Sequence, residues 1–143
     1  AILEAGGDLT LTTGGGLEGN TDVEAQGTIC FDVGGTLDIN SRLETGGDIF
    51  LQAVDDVYLG AYVNNLPGTG VDIGIEAIGG DIIQDDGSAL LESDNNVALK
   101  AGGSIGVGGT GQLQIGLSGS FAAESGGDID VFLDSGFTII ITI

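Results

Sequence analysis

The segment "LETGGDIFLQA", residues 43–53, joins a Gly-Gly-Asp bend to a run that alternates in the manner of a β-strand. Its first seven residues match "LEAGGDL" at 3–9, and shorter versions recur at 78–82, 101–107 and 125–131. This recurrence leaves two interpretations of Gly-Gly-Asp. It is either a ligand-binding loop or a bend that the architecture repeats.

Apolar positions in the first half of the chain recur every 20 residues. Three rows that share one period identify an internal repeat. Each repeat holds three short bursts of alternating apolar residues, which favours strands, because glycine disfavours a helix by about 1 kcal/mol per position. The rows are Leu3, Val23, Leu43 and Val63; Leu9, Ile29 and Ile49; and Leu17, Leu37 and Val57.

The repeat unit lengthens in the second half of the chain. The bursts there begin at Ile82, Leu90, Val97 and Ile105, so a unit of three bursts is about 23–24 residues long. Between the halves, "NNLPGTG" at 64–70 holds the only proline and predicts a loop or a register break, with the coil phase open across 64–80. The predicted organisation is one domain over 1–143, with 20-residue coils in 1–63 and coils of about 23–24 residues in 71–143.

Each burst resembles the third burst after it, so equivalent strands should stack on one another. This predicts an all-β, single-stranded parallel β-helix, a solenoid with three short strands per coil and about six coils. Glycine at the corners would supply a backbone with φ > 0, and the Asp or Thr that follows would hydrogen-bond local backbone groups. The predicted corners are Gly7, Gly27, Gly47, Gly80, Gly103 and Gly127.

Nucleotide-binding loops fit these glycines poorly. No lysine follows any glycine pair, as a phosphate-binding loop requires. The segment "GVGGTG" at 106–111 does not lead into a helix, as a dinucleotide-binding loop does. The architectural interpretation of Gly-Gly-Asp is therefore favoured.

The charge of the chain limits its partners. Acidic residues number 22 and basic residues 2, which gives a formal net charge of −20. Nucleic acids and anionic membrane surfaces carry the same sign, so we predict that the chain binds neither. No apolar stretch has the length of a transmembrane helix, so no membrane insertion is predicted. Cys30 is the only cysteine, which excludes an internal disulfide.

Three glutamates are the candidates for a metal site. Glu4, Glu24 and Glu44 lie 20 residues apart beside inward apolar positions and should form an outward ladder. Stacking would place them about 4.8 Å apart, where like charges repel. Bound Ca²⁺ would relieve the repulsion, since calcium prefers carboxylate oxygens, and so would diffuse screening by dissolved cations. No other cofactor is predicted.

A catalytic role would depend on carboxylates, because the chain has no histidine. The Asp pairs at 55–56 and 85–86 coincide with predicted turns, where Asp is common for structural reasons, so we predict a non-catalytic protein. The alternative is a polysaccharide-binding or polysaccharide-cleaving β-helix, which would need a groove lined by aromatic residues and carboxylates. An ice-binding face is disfavoured, because the threonines do not keep one register. These threonines are Thr10, Thr12, Thr28 and Thr36.

Candidate contact residues are Phe50, Tyr58 and Cys30. Each should point outward between core positions, and Cys30 shares the row of Thr10 and Phe50. At the end of the chain, "FTIIITI" at 137–143 is an uncharged strand segment without a polar cap, and the first residues already lie inside a repeat. We expect copies to pair end to end, or flanking repeats of a longer chain to continue the stack.

Two segments carry a family resemblance. "GGDIFLQAVDDVYLGA" and "NVALKAGGSIGVGGTGQLQIGLSGSFAAESGGDIDV" resemble the repeat region of filamentous-haemagglutinin-type bacterial exoproteins and giant repetitive surface adhesins. The resemblance implies a right-handed parallel β-helix, secretion across the outer membrane and an extracellular or cell-surface location. It also implies a role in adhesion or in cell-surface structure. A host surface or a glycan is a further candidate partner. The secretion domain of that family is not recognisable in this sequence. The expected function is a structural rod of an adhesin or of a self-assembling filament.

Overall fold

A computed structural model describes residues 2–66, 68–87, 89–134 and, for the backbone alone, 138–142. The described chain is all-β, with parallel strands in three sheets that stack as a solenoid of about seven turns. Each coil contributes three strands. The predicted fold class is confirmed, and the number of coils is about seven where the sequence suggested about six.

The strands of each sheet follow one another along the solenoid axis. Sheet 1 contains β1 Ile2–Ala5, β4 Asp22–Ala25, β7 Leu43–Thr45, β10 Val63–Asn64, β13 Leu91–Ser93, β15 Leu113–Leu117 and β17 Val131–Asp134. Sheet 2 contains β2 Leu9–Thr13, β5 Ile29–Val33, β8 Ile49–Ala53, β11 Ile73–Ala77, β14 Val97–Ala101, β16 Ser120–Ser125 and β18 Thr138–Thr142. Sheet 3 contains β3 Leu17–Gly19, β6 Leu37–Ile39, β9 Val57–Leu59 and β12 Ile82–Gln84. Single bridges at Ile105 and Ile129 extend sheet 3 beyond β12.

The core is built from rows of aliphatic side chains in register between coils. In β8, Ile49 and Leu51 are buried while Phe50 between them is exposed, as the two-residue period of a strand requires. Ile49 stacks between Ile29 and Ile73 in the same row. Burying one such side chain contributes about 1.5–3 kcal/mol relative to leaving it in water. The repetition of these rows therefore stabilises every interior coil in the same way.

The register resolves the coil phase across residues 64–80. Ile49 pairs with Ile29 in the coil before it and with Ile73 in the coil after it, and the second step along the chain is the longer one. The longer coils therefore begin at the loop that follows β10. The predicted coil length does not hold to the end of the chain, because the step from Phe121 to its partner Ile139 is shorter than that from Ile29 to Ile49.

The six predicted corner glycines lie at two different corners. Gly7, Gly27 and Gly47 precede strands of sheet 2, whereas Gly80, Gly103 and Gly127 precede sheet 3 positions. The expectation of φ > 0 is wrong for all six. Among the described glycines, the positive φ angles belong to two irregular loops, at Gly70 (67°), Gly106 (77°), Gly108 (89°) and Gly111 (148°).

Close approach between coils explains most of the corner glycines. A Cβ on Gly47 would lie 2.6 Å from the backbone carbon and oxygen of Gly27, one coil away. A Cβ on Gly80 would lie 2.6 Å from the carbonyl carbon of Asp55. Gly7 differs, since nothing lies within 4 Å of its added Cβ. Glycine is therefore required where two neighbouring coils touch, for steric reasons and not for an unusual backbone angle.

The Asp residues at the corners accept hydrogen bonds from the next coil. Oδ1 of Asp48 accepts a hydrogen bond from the backbone N–H of Asp72 at 2.8 Å. At the other corner, Oδ1 of Asp56 accepts from the N–H of Asp81 at 2.8 Å, and Asp81 accepts from the N–H of Ser104 at 2.6 Å. The expectation of local hydrogen bonds is therefore corrected, because the acceptors connect successive coils. The Asp of Gly-Gly-Asp has this architectural role at Asp48 and Asp81.

Candidate functional site

The predicted glutamate ladder is present on the outer face of sheet 1. Glu4, Glu24 and Glu44 are paired residue for residue in neighbouring strands. Arg42 lies against two of them, with Nη2 2.5 Å from Oε1 of Glu24 and Nη1 3.3 Å from Oε2 of Glu44. The backbone N–H of Arg42 also donates to Oδ1 of Asp22 at 3.1 Å. A guanidinium therefore compensates part of the charge for which bound Ca²⁺ or diffuse screening were the two alternatives.

No group of three or more His, Cys, Asp or Glu side chains in the described ranges is arranged to hold a metal ion. The ion pairs of Arg42 are partly exposed, with side-chain accessibilities between 29% and 38%. Pairs of this kind contribute less than about 1 kcal/mol each. The sequence did not predict these ion pairs. Glu44 is only two residues from Arg42, but Glu24 is distant in sequence and comes close to Arg42 only because β4 stacks on β7.

Sheet 3 carries an acidic outer face around Tyr58. Glu18, Asp38 and Tyr58 occupy one outward row of this sheet. The negative charge of Asp56 raises the pKa of Tyr58, as do burial and a 3.4 Å hydrogen bond from the Tyr58 hydroxyl to Oδ2 of Asp56. Tyr58 is half-buried between two core positions, and its hydroxyl has a local hydrogen-bond partner.

Asp38 is the least satisfied carboxylate of this face. Its Oδ1 is buried without a hydrogen-bond partner. Burial raises the pKa of Asp38; a hydrogen bond with Asn40 acts in the opposite direction, and the charges of Asp85 and Glu18 raise it further. Burial and the neighbouring negative charges together therefore raise the pKa of Asp38 above its ordinary value.

The glycine-rich segment at 106–111 is a cover for sheet 3. The backbone N–H of Thr110 donates to the carbonyl of Gln84 in β12 at 2.9 Å. A Cβ on Gly109 would lie 2.8 Å from Cγ2 of Ile83 and would also meet the Gln84 backbone. Ile83 points away from the core but is only 8% exposed. The segment resembling a dinucleotide loop therefore shields an apolar side chain.

A groove crosses the outer face of sheet 2. Its volume is about 660 Å³, and it runs over β5, β8, β11, β14 and β16. One row of the groove passes from Cys30 to Phe50 and then to three small residues. Because these side chains are small, the groove is deeper beside the phenylalanine ring. The small residues are Gly74, Ala98 and Ala122, each in register with the next.

Phe50 forms the wall at one end of this small-residue floor. It is 46% exposed, and a Cβ added to Gly74 would lie 3.1 Å from the ring carbon Cδ1. The ring therefore leans over Gly74 in the adjacent coil, where the absence of a side chain leaves room for it. The exposed part of the ring is an apolar surface that faces the groove.

A polar row borders the floor of the groove. It alternates hydrogen-bond acceptors with groups that donate, and one internal hydrogen bond joins Nε2 of Gln52 to Oε2 of Glu76 at 3.4 Å. A second groove of about 340 Å³ lies on the opposite side of the row, beside Ile78, which is 50% exposed. The row in order is Asp32, Gln52, Glu76, Lys100 and Glu124.

The structure thus brings together two of the three predicted contact residues. Cys30 lies in register between Thr10 and Phe50, and it lines the groove together with Phe50. Tyr58 lies on a different sheet. The small-residue floor was not foreseen, because the rows of the second half could not be aligned with β8 until the register was known. The strand Thr138–Thr142 pairs with β16. Phe137 and Ile143, from the terminal segment singled out above, lie outside the described residues.

Comparison with known proteins adds no assignment: no family model, curated protein or solved structure matches this chain. Among the described residues, no helix has the length and apolar character needed to cross a membrane.

Proposed function

We propose that this chain is a rod segment of an extracellular, cell-surface adhesin or self-assembling filament of bacteria, of the filamentous-haemagglutinin type. The observation that supports this proposal is the uninterrupted stack of coils, in which apolar rows and corner hydrogen bonds both run between coils. At about 4.8 Å per coil, seven coils extend for roughly 30 Å. The architecture supplies length and a repetitive outer surface, which are the properties that a surface rod needs.

The negative charge supports an exposed location. With 22 acidic and 2 basic side chains, the rod repels copies of itself from the side and stays soluble at high surface density. Pairing along the axis would instead join the backbone hydrogen-bonding groups of strand edges. Copies or flanking repeats remain the proposed partners along the axis.

Surface location is tested on intact cells of the source organism with antibodies raised against this chain. We expect labelling without permeabilisation and loss of the signal after brief treatment of whole cells with protease. Labelling that requires permeabilisation would contradict the proposal. Assembly is tested separately by electron microscopy of the concentrated protein, where fibres with an axial spacing of about 4.8 Å are expected.

A second candidate function is polysaccharide binding, which the groove on sheet 2 favours. Cleavage is less favoured by the placement of the carboxylates. Glu76 and Glu124 stand two strands apart in one row on the same side of the groove, roughly 9.6 Å by strand spacing. Glycosidases instead place two carboxylates on either side of the bond, about 5–9.5 Å apart. We therefore propose a non-catalytic role for this surface.

A further inference from the structure

We propose that the groove on sheet 2 binds an uncharged, extended glycan that lies along the solenoid axis. This inference rests on the proposed adhesin function and gives it a ligand class and a site. The groove spans five strands between Cys30 and Ala122, a length of roughly 19 Å. That length accommodates several sugar rings in a row.

The floor and end wall of the groove suit the faces of sugar rings. Gly74, Ala98 and Ala122 project almost nothing, so a flat ring can approach the sheet closely. Phe50 offers a half-exposed aromatic surface next to Gly74 at the end of this floor. Aromatic rings contribute large contact area at a small cost in conformational entropy, so they are common anchors of binding sites.

The bordering row suits hydroxyl groups, which both donate and accept hydrogen bonds. Glu76 and Glu124 accept, Lys100 donates, and Gln52 does both, at intervals of one strand. A ligand with hydroxyls at regular intervals can use each of these groups. The strand spacing of about 4.8 Å is close to the advance of one sugar ring along an extended chain.

Charge excludes a polyanionic ligand, which is repelled by Asp32, Glu76 and Glu124 and by the net charge of −20. A polycation is attracted by the same field, so polylysine is the competing ligand in the test below. The groove favours a neutral glycan over a polycation through its uncharged floor and the phenylalanine ring, which offer a polycation no charged partner.

The test compares Phe50→Ala with Tyr62→Ala as a matched control. Tyr62 is 45% exposed, almost the same as Phe50, and does not line the groove. Purified protein is titrated by calorimetry with soluble neutral glucan, mannan and galactan oligosaccharides, with a polyuronate and with polylysine. We expect one of the neutral oligosaccharides to bind, Phe50→Ala to weaken it roughly three- to tenfold, and Tyr62→Ala to leave it unchanged.

Cys30 supplies an independent measurement, because it lines the same groove. The bound neutral oligosaccharide should slow alkylation of the Cys30 thiol by iodoacetamide. Ala98→Gln, which places a side chain on the exposed floor, should abolish this protection while the circular dichroism spectrum stays that of the parent. The proposal is overturned if no neutral oligosaccharide binds, if both aromatic variants weaken binding equally, or if only polylysine or the polyuronate protects Cys30. These results do not depend on cell labelling. The proposal of glycan binding in the groove can therefore fail while the proposal of a cell-surface location holds, and the reverse.

Discussion

Two adjacent glycines of the Gly-Gly-Asp corner differ in how closely they approach the neighbouring coil. A Cβ on Gly47 would lie 2.6 Å from two backbone atoms of Gly27, well inside the 3.4 Å at which ordinary contact begins. A Cβ on Gly46 would meet only the carbonyl oxygen of Gln26, at 3.5 Å. Neither glycine has a positive φ. Alanine is thus sterically excluded at one position and accommodated at its neighbour.

Two effects determine how much each substitution changes the free energy of unfolding. Replacing glycine by alanine in a compatible conformation stabilises a protein by about 0.4–1 kcal/mol through the unfolded state. Overpacking costs about 1–3 kcal/mol. The first term is common to Gly46→Ala and Gly47→Ala, so their difference in unfolding free energy is the overpacking term of about 1–3 kcal/mol. Movement of Gly27 would also disturb the hydrogen bond that its carbonyl accepts from the Thr45 hydroxyl.

Urea denaturation followed by far-ultraviolet circular dichroism measures this difference. We expect Gly46→Ala to raise the midpoint slightly above that of the parent and Gly47→Ala to lower it, with equal slopes. Gly7→Ala is a further control, because it changes the position equivalent to Gly47 in a coil where nothing lies within 4 Å. If all three variants shift the midpoint alike, close approach between coils is not the reason for the corner glycines.

The remaining predictions concern polar groups and cations. Asp81→Ala removes an acceptor for a backbone amide of the next coil and should lower the unfolding free energy by about 1–2 kcal/mol. In a thermal melt, Asp81→Asn should lower the melting temperature by less than Asp81→Ala does. Arg42→Gln removes the ion pairs with Glu24 and Glu44 and should cost about 0.5–1 kcal/mol, a difference that shrinks as NaCl is added. The parent should melt unchanged after EDTA and after added Ca²⁺; a shift with the chelator would revive the calcium hypothesis. Because the pKa of Asp38 is raised in the folded state, its contribution to stability is present at low pH and lost as pH rises through that pKa. Asp38→Asn should therefore stabilise the protein by less than about 1 kcal/mol near pH 7 and have little effect near pH 3. Equal effects on stability at the two pH values would contradict a raised pKa for Asp38.

The repeat period was sufficient to predict the solenoid and its inward rows. Leu9, Ile29 and Ile49 do stack, because a parallel strand pair with one face in the core admits no slip of a single residue. The period could not establish which corner a glycine pair occupies. Gly47 and Gly80 are followed by the same residue type, yet one pair precedes sheet 2 and the other precedes sheet 3. Gly-Gly-Asp bends occur at both corners, so the residue types alone do not show which corner a given bend occupies.

The groove could not be predicted from the sequence. Phe50 was recognisable as an outward aromatic residue, but its neighbours on the surface come from other coils, distant along the chain. Gly74 and Ala98 join its row only after the loop at 64–70 has set the new register. The ion pair between Arg42 and Glu24 was hidden for the same reason, since it bridges strands that are separated in sequence.

The corner hydrogen bonds that precede sheet 2 give this edge of the solenoid a direction. Asp48 accepts from the amide of Asp72, Asp72 from that of Asn96, and Asn96 from that of Ser120. In each of these bonds the earlier coil holds the side-chain acceptor and the later coil brings the amide. Between the same coils the amide of Ile49 donates in the opposite sense, to the carbonyl of Asp72. Asp72 therefore completes both a side-chain and a backbone hydrogen bond of the coil before it, so each coil leaves an unpaired acceptor and an unpaired donor at this corner until the next coil is in place.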